Sequence, residues 1–165
     1  EGSASTEAEP QDGNAPAEET PVEETAAEPT YTVSETLTRP VPGEVMTEFS
    51  DTPVYSETMR DYRVHAGTDY TAAHGETGHA CANGIVKETH TDMLRGNMIV
   101  IEHGDYEVRY CGLGETFLVH EGDVVTAGQD IGSVTAAPFE SALDSHLHIE
   151  VTRNGEPVDP ESVFG

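Results

Sequence analysis

The sequence predicts an all-β domain, an antiparallel β-sandwich or barrel-like fold, preceded by a disordered acidic tail. Three observations predict it. Short β-branched or aromatic runs recur at close spacing from residue 98 to residue 151, most of them bounded by Gly, Asp or Asn. No stretch repeats apolar residues at i, i+3, i+4 and i+7 for three turns, which a long amphipathic helix requires. The first 36 residues hold ten of the 32 acidic residues, four prolines and no Lys or Arg.

Taken in chain order, residues 1–36 read as a linker. Val22 is the only large aliphatic residue in the first thirty, so the segment buries too little apolar surface to offset the entropy of ordering it. Its like charges extend it, as expected of a spacer. Residues 37–165 carry 22 acidic against 7 basic residues, a formal −15, and are long enough for one hydrophobic core. Strands are expected at Met98–Glu102, Tyr106–Tyr110, Phe117–Val119, Asp130–Val134 and His146–Val151. His103-Gly104-Asp105-Tyr106 reads as the hairpin turn between the first two. Strands this closely spaced favour a sandwich or barrel.

Charge excludes whole classes of partner. A net charge of −25 and a pI near 4.3 leave no basic face for nucleic acid or for an anionic membrane surface. The longest strongly apolar run, Met98–Ile101, falls far short of the roughly 20 residues that span a bilayer. No signal peptide is visible. Because the sequence starts at Glu1 rather than Met, a leader or membrane anchor is expected to have preceded it. Two cysteines, Cys81 and Cys111, are too few for a disulfide framework and are expected as packed free thiols.

The histidines point to chemistry, since there are eight of them against seven Lys+Arg. In His65-Ala66-Gly67-Thr68-Asp69 an extended chain would turn His65 and Asp69 to one face. Imidazole and carboxylate are both zinc ligands. In Ser145-His146-Leu147-His148-Ile149-Glu150-Val151 alternation is strict, with His146, His148 and Glu150 on one face and the apolar residues on the other. A catalytic zinc needs three protein ligands and an open fourth position. His65, Asp69 and one of His146 or His148 would supply three from facing strands. No His-Glu-x-x-His helix is present. His103 is expected to be structural, and His74, His79, His90 and His120 to be surface residues.

These motifs, in this order, make the sequence resemble the lysostaphin/LytM-type zinc endopeptidases, which cut peptide bonds in peptidoglycan. Supporting landmarks are Ala82-Asn83-Gly84-Ile85-Val86, Gly96-Asn97-Met98-Ile99-Val100-Ile101-Glu102-His103-Gly104, Glu121-Gly122-Asp123-Val124-Val125, Gly128-Gln129-Asp130-Ile131-Gly132 and Val158-Asp159-Pro160. The resemblance spans residues 44–164. It implies a LytM-type domain with an open groove, zinc held by His65, Asp69 and His148, and His146 as the catalytic histidine beside the metal.

Two departures matter. Where the family carries a further catalytic histidine in Tyr-x-His-Leu, this sequence reads Tyr110-Cys111-Gly112-Leu113. Glycine can neither orient water nor stabilise an oxyanion, so hydrolysis is expected to be crippled while zinc binding persists. Gly112→His would restore the side chain only if the backbone there does not need φ > 0. Residues 136–145, Ala-Ala-Pro-Phe-Glu-Ser-Ala-Leu-Asp-Ser, also lack the Gly-rich loop common before His-Leu-His. With Tyr62-Arg63-Val64-His65 and the acidic N-terminus, these features resemble the stage II sporulation protein Q branch. That likeness implies a membrane-anchored scaffold or channel component of the cell envelope that binds a partner protein of the opposing cell. The alternative is a working peptidase acting on peptidoglycan. Biotinyl or lipoyl carriers fit less well, because Lys87, the sole lysine, lies outside their turn. Sugar-phosphotransferase carriers lack the His-x-x-x-Asp with His-x-His pairing.

Overall fold

Alternation along one strand decides which way the main sheet faces. In His146–Arg153 the side chains of Leu147, Ile149 and Val151 are fully buried in the hydrophobic core, while His146, His148 and Glu150 are buried on the opposite side. A computed structural model describes residues 30–165 of the protein. The described strands are β1 (Val45–Thr47), β2 (Ser50–Ser56), β3 (Asp61–His65) and β4 (Thr68–Thr71). They continue as β5 (Thr77–His79), β6 (Gly84–Asp92), β7 (Gly96–His103) and β8 (Tyr106–Leu113). The last four are β9 (Val124–Val125), β10 (Asp130–Ser133), β11 (His146–Arg153) and β12 (Glu156–Val158). Eight of them form one antiparallel sheet in the order β1-β4-β11-β8-β7-β6-β9, with β12 pairing β11. The β5–β10 pair and the β2–β3 hairpin are separate two-stranded sheets.

The core lies on one face of the large sheet. Tyr70, Ile99, Ile101, Val108, Tyr110, Leu147, Ile149 and Val151 line that face, and Leu113, Val125, Ile131 and Val134 pack against them, all at most 2% exposed. Each such side chain contributes about 1.5–3 kcal/mol on leaving water. Met98, Val100 and Cys111 form a small second cluster, on the face that carries His148. Cys81 and Cys111 are both free and buried. Among the described residues helix is limited to two 3₁₀ turns, Pro138–Glu140 and Pro160–Ser162, and no helix is long and apolar enough to cross a membrane.

Four of the five expected strands form, and the turn at Gly104-Asp105 joins His103 to Tyr106 as expected. Phe117–Val119 does not. Val119 is buried, but the segment is tied to the sheet region only by the Leu118 N–H to Ile131 C=O bond, so apolar burial there needs no ladder. Residues 1–29 of the expected linker lie outside the described residues. Residues 30–36 are described, and three of them, Tyr31, Thr32 and Ser34, hydrogen-bond to the domain. The Tyr31 hydroxyl donates to Glu102 Oε2 at 2.9 Å and accepts the Gly104 N–H at 2.8 Å. Ser34 Oγ accepts the Asn83 N–H, and Asn83 Nδ2 donates to the Thr32 carbonyl.

A buried polar chain pins the β7–β8 hairpin to the preceding loop. The Cys81 N–H donates to Tyr110 Oη, that hydroxyl donates to His103 Nε2 at 2.8 Å, and His103 Nδ1–H donates to the Asn83 carbonyl at 3.1 Å. Every member is satisfied only while His103 is neutral. Burial pushes its imidazole down to about 4, against the pull of the Asn83 and Ala82 carbonyls. An unfolded histidine titrates near 6.5, so the unfolded chain takes up the proton first as pH falls. The contribution is therefore whole above pH 6.5 and is lost between 6.5 and 4. His103→Gln, which cannot titrate, should shrink the loss of unfolding free energy between pH 7 and pH 4.5 by about 2 kcal/mol in urea titrations. Equal losses in the two proteins would contradict this.

Candidate metal centre

Strand register assembles most of the site. β11 runs between β4 and β8, with His148 opposite Asp69 on one side and Cys111 on the other. Directly opposed residues share a face, so Asp69 and His148 meet above the sheet, and His146 follows two residues along. His65 reaches them differently from the extended-chain expectation. It ends β3, in a different sheet from Asp69, and the chain turns at Ala66-Gly67 before entering β4. Gly67 permits the turn, because a Cβ there would overlap the Ile149 carbonyl of β11.

Each imidazole is aimed by an acceptor behind it. His65 Nδ1–H donates to the Glu48 carbonyl (2.9 Å), His146 Nδ1–H to the Asp144 carbonyl (2.7 Å) and His148 Nε2–H to Glu150 Oε1 (3.2 Å). Such outer partners fix the tautomer of a ligating histidine. The three inner nitrogens face Asp69, which is fully buried. His148 Nδ1 lies 2.7 Å from Asp69 Oδ1, His65 Nε2 3.3 Å from Oδ2 and His146 Nε2 3.7 Å from Oδ1.

A further carboxylate enters that sequence reasoning missed. Glu140, on the 3₁₀ turn Pro138–Glu140, is 5% exposed. Its Oε1 lies 2.7 Å from His148 Nδ1 and 3.3 Å from His65 Nε2, and its Oε2 lies 3.3 Å from His146 Nε2. A lone Glu in an irregular loop carries no periodicity or spacing signal. The Phe139 ring beside it meets the His148 imidazole edge-on at 5.0 Å.

The residues fit a metal ion. One ligand atom from each of His65, Asp69, Glu140 and His148 lies within 4.8 Å of all the others. Zinc bonds of about 2.0–2.1 Å at tetrahedral angles separate ligand atoms by about 3.3–3.4 Å; the His65–Asp69 and His65–Glu140 separations of 3.3 Å meet that spacing, while His148 Nδ1 sits closer, 2.7 Å from Asp69 and from Glu140. Asp69 Oδ2, Glu140 Oε2 and His146 Nε2 are buried without a hydrogen-bond partner, although they point into the same small space. Two imidazoles and two carboxylates are the donor set of zinc rather than of a hard cation such as calcium.

Charge on the cluster follows from the same contacts. Burial lowers the affinity of His65 for a proton, but the Asp69 and Glu140 carboxylates outweigh it and hold the imidazole at about 9. His146 and His148 are raised for the same reason, and Glu140 is driven far below the usual carboxylate range despite its burial. Behind them, Glu150 accepts from Arg95 Nε at 3.0 Å, and Arg109 lies 3.7 Å away. Burial raises Glu150, but His148 and Arg95 bring it down to about 2. Burial pushes the adjacent Cys111 thiol up to about 12. Glu150 is thus ionised and paired with Arg95, and the Cys111–His148–Glu150 trio shares His148 with the main cluster. The peripheral His79 and His90 pair with Asp130 and Glu88, each at 2.9 Å, and exposed His120 lies 3.8 Å from Asp123.

Gly112 sits at a β-bulge. Met98 pairs with Cys111 and Asn97 with Leu113, leaving Gly112 as the extra residue of β8 at φ +79°. A Cβ there would lie 2.7 Å from Ala137 N and 2.9 Å from Ala136 C. The Gly112 carbonyl accepts the Thr135 N–H at 2.7 Å. The loop that delivers Glu140 is therefore fastened over the place where a side chain at 112 would begin.

Residues 63–160 match the sequence pattern of peptidase family M23. The chain belongs to that family. This M23 domain is 34% identical over 96 residues to the peptidoglycan DD-endopeptidase ShyA of Vibrio cholerae, covering 58% of the chain but 22% of ShyA. It thus spans less than a quarter of that curated relative. Among solved structures it is similar to a zinc-containing peptidase from Vibrio cholerae, with a TM-score of 0.64 and 26% identity over 78% of this chain and 39% of that one. It is also similar in fold to the SpoIIQ–SpoIIIAH pore-forming complex, with a TM-score of 0.68 and 20% identity over 78% of this chain and 90% of that one.

The bulge yields a direct test. Gly112→Ala places a side chain at positive φ and against loop backbone, and it should cost about 2–4 kcal/mol of stability by urea unfolding. Gly112→His should be destabilised at least as much. A neutral Gly112→Ala would mean that the loop yields freely.

Proposed function

We propose that this M23 domain is a zinc-binding module of the bacterial cell envelope whose peptidase chemistry is disabled, serving as an extracytoplasmic scaffold or channel component of sporulation. Zinc would be held by His65, Asp69 and His148. In a hydrolytic site such an ion polarises the scissile carbonyl and lowers the pKa of water. The chain's own groups must then stabilise the oxyanion and deliver a proton to the leaving amine. His146 Nε2 faces the cluster and can move one proton, its ring held by the Asp144 carbonyl. No second imidazole stands at position 112.

Gly112 carries this reading. Its left-handed backbone and the Ala136–Ala137 segment above it leave no room for the missing histidine, and such a group is worth about 10²–10⁴ in rate. A protein partner from the opposing cell, with a basic contact face, would suit the −15 charge over residues 37–165. Tyr55, Tyr62 and Val64 on the β2–β3 hairpin, each more than half exposed, supply an apolar strip for such contact. The N-terminal acidic segment would serve as the spacer from a membrane anchor.

The name of ShyA, a DD-endopeptidase at 34% identity, favours a second reading, an active enzyme cleaving peptidoglycan peptide bonds. Purified peptidoglycan separates the two. The zinc-loaded wild type is expected to release peptides no faster than His146→Ala. Release well above that variant would overturn the scaffold reading in favour of the peptidase.

A further inference from the structure

We propose that Glu140 is a fourth protein ligand of the metal centre, closing the coordination position that a hydrolytic zinc keeps open for water. The inference rests on the metal reading above and deepens it. Structural zinc sites are closed by four protein ligands, whereas catalytic ones keep three and a water. Here the fourth donor is built in. Glu140 Oε1 lies within 3.3 Å of both His65 Nε2 and His148 Nδ1, and Glu140 and His65 line the same surface pocket.

Two observations separate ligation from a plain ion pair. Glu140 Oε2 and His146 Nε2 are 3.3 Å apart, yet neither makes a hydrogen bond. Asp69 Oδ2 and His65 Nε2, also 3.3 Å apart, likewise leave Asp69 Oδ2 unpartnered. His65 Nε2 does pair with Glu140 Oε1 at 3.3 Å and His148 Nδ1 with Asp69 Oδ1 at 2.7 Å, but Asp69 Oδ2, Glu140 Oε2 and His146 Nε2 are left without a partner in the middle of the cluster. Asp69 and Glu140 are also two carboxylates at 5% exposure or less, whose buried charge a metal cation would offset in place of protons on the imidazoles around them.

The loop is fastened so that the carboxylate stays in place. The Thr135 N–H bonds the Gly112 carbonyl, the Phe139 N–H bonds the Leu94 carbonyl and the Ala142 N–H bonds Thr58 Oγ1. These anchors reach three separate parts of the fold on either side of Glu140. A metal held this way ties β3, β4, β11 and the loop together, so its function is to brace the envelope module.

The test uses the full chain with zinc and cobalt(II). Glu140→Ala is expected to weaken zinc binding at least about tenfold in chelator competition, since loss of groups merely supporting a ligand already costs 10–100-fold. Azide should leave the visible spectrum of the cobalt wild type unchanged and shift that of Glu140→Ala saturably. Glu140→Gln, which keeps shape and removes charge, should bind zinc more weakly than wild type and serves if the alanine variant fails to fold. Wild-type zinc affinity in both variants, or an azide response in the cobalt wild type equal to that of Glu140→Ala, overturns the role of Glu140 alone. A wild type that takes up no stoichiometric metal overturns both this and the reading beneath it.

Discussion

The pairing of β11 with β4 and β8 is the constraint on which the molecule depends. One register sets Leu147, Ile149 and Val151 into the core and, on the reverse face, sets His148 against Asp69. A slip of one residue would exchange these faces, burying imidazoles among aliphatic side chains and sending the core outward. Stability and site geometry therefore have the same origin. The apolar face specifies the register strongly enough to hold several buried polar groups in place, which a loosely specified strand could not do.

The second dependence links Gly112 to the loop at residues 135–143. In a standard ladder position 112 would carry a side chain. The bulge instead puts glycine at φ +79° and lets the loop backbone approach to within a Cβ's reach. The loop uses that space to bring Phe139 over His148 and Glu140 into the cluster. The glycine on β8 and the carboxylate delivered by the loop are thus linked through one contact. With Glu140 as a ligand, the proposed centre has four protein donors.

Legibility in the sequence followed from which residues obey local rules. The strands around Met98–Glu102, Tyr106–Tyr110 and His146–Val151 alternate or run apolar because they cross the core, and such patterns are what sequence reading detects. The β2–β3 hairpin could not be read that way, since its residues are mostly exposed and its pattern carries little burial. His65, Asp69, His146 and His148 stood out because they lie in two short motifs in a recognisable order. Their convergence was visible, but not the route, because the turn at Gly67 separates β3 from β4. Glu140 gave no signal at all. Its position depends on hydrogen bonds from loop backbone to distant strands, which have no counterpart in spacing or composition. Tyr31 and Ser34 were hidden similarly, as two polar residues in an acidic stretch whose partners lie some seventy and fifty residues further along the chain.

The central claim is that a metal ion sits among His65, Asp69, His148 and Glu140. A crystal of the zinc-loaded protein measured at the zinc absorption edge tests it most directly. One anomalous peak is expected within about 2.0–2.2 Å of His65 Nε2, His148 Nδ1 and one oxygen each of Asp69 and Glu140. The absence of a peak at that point, or a peak coordinated by other residues, would contradict the account.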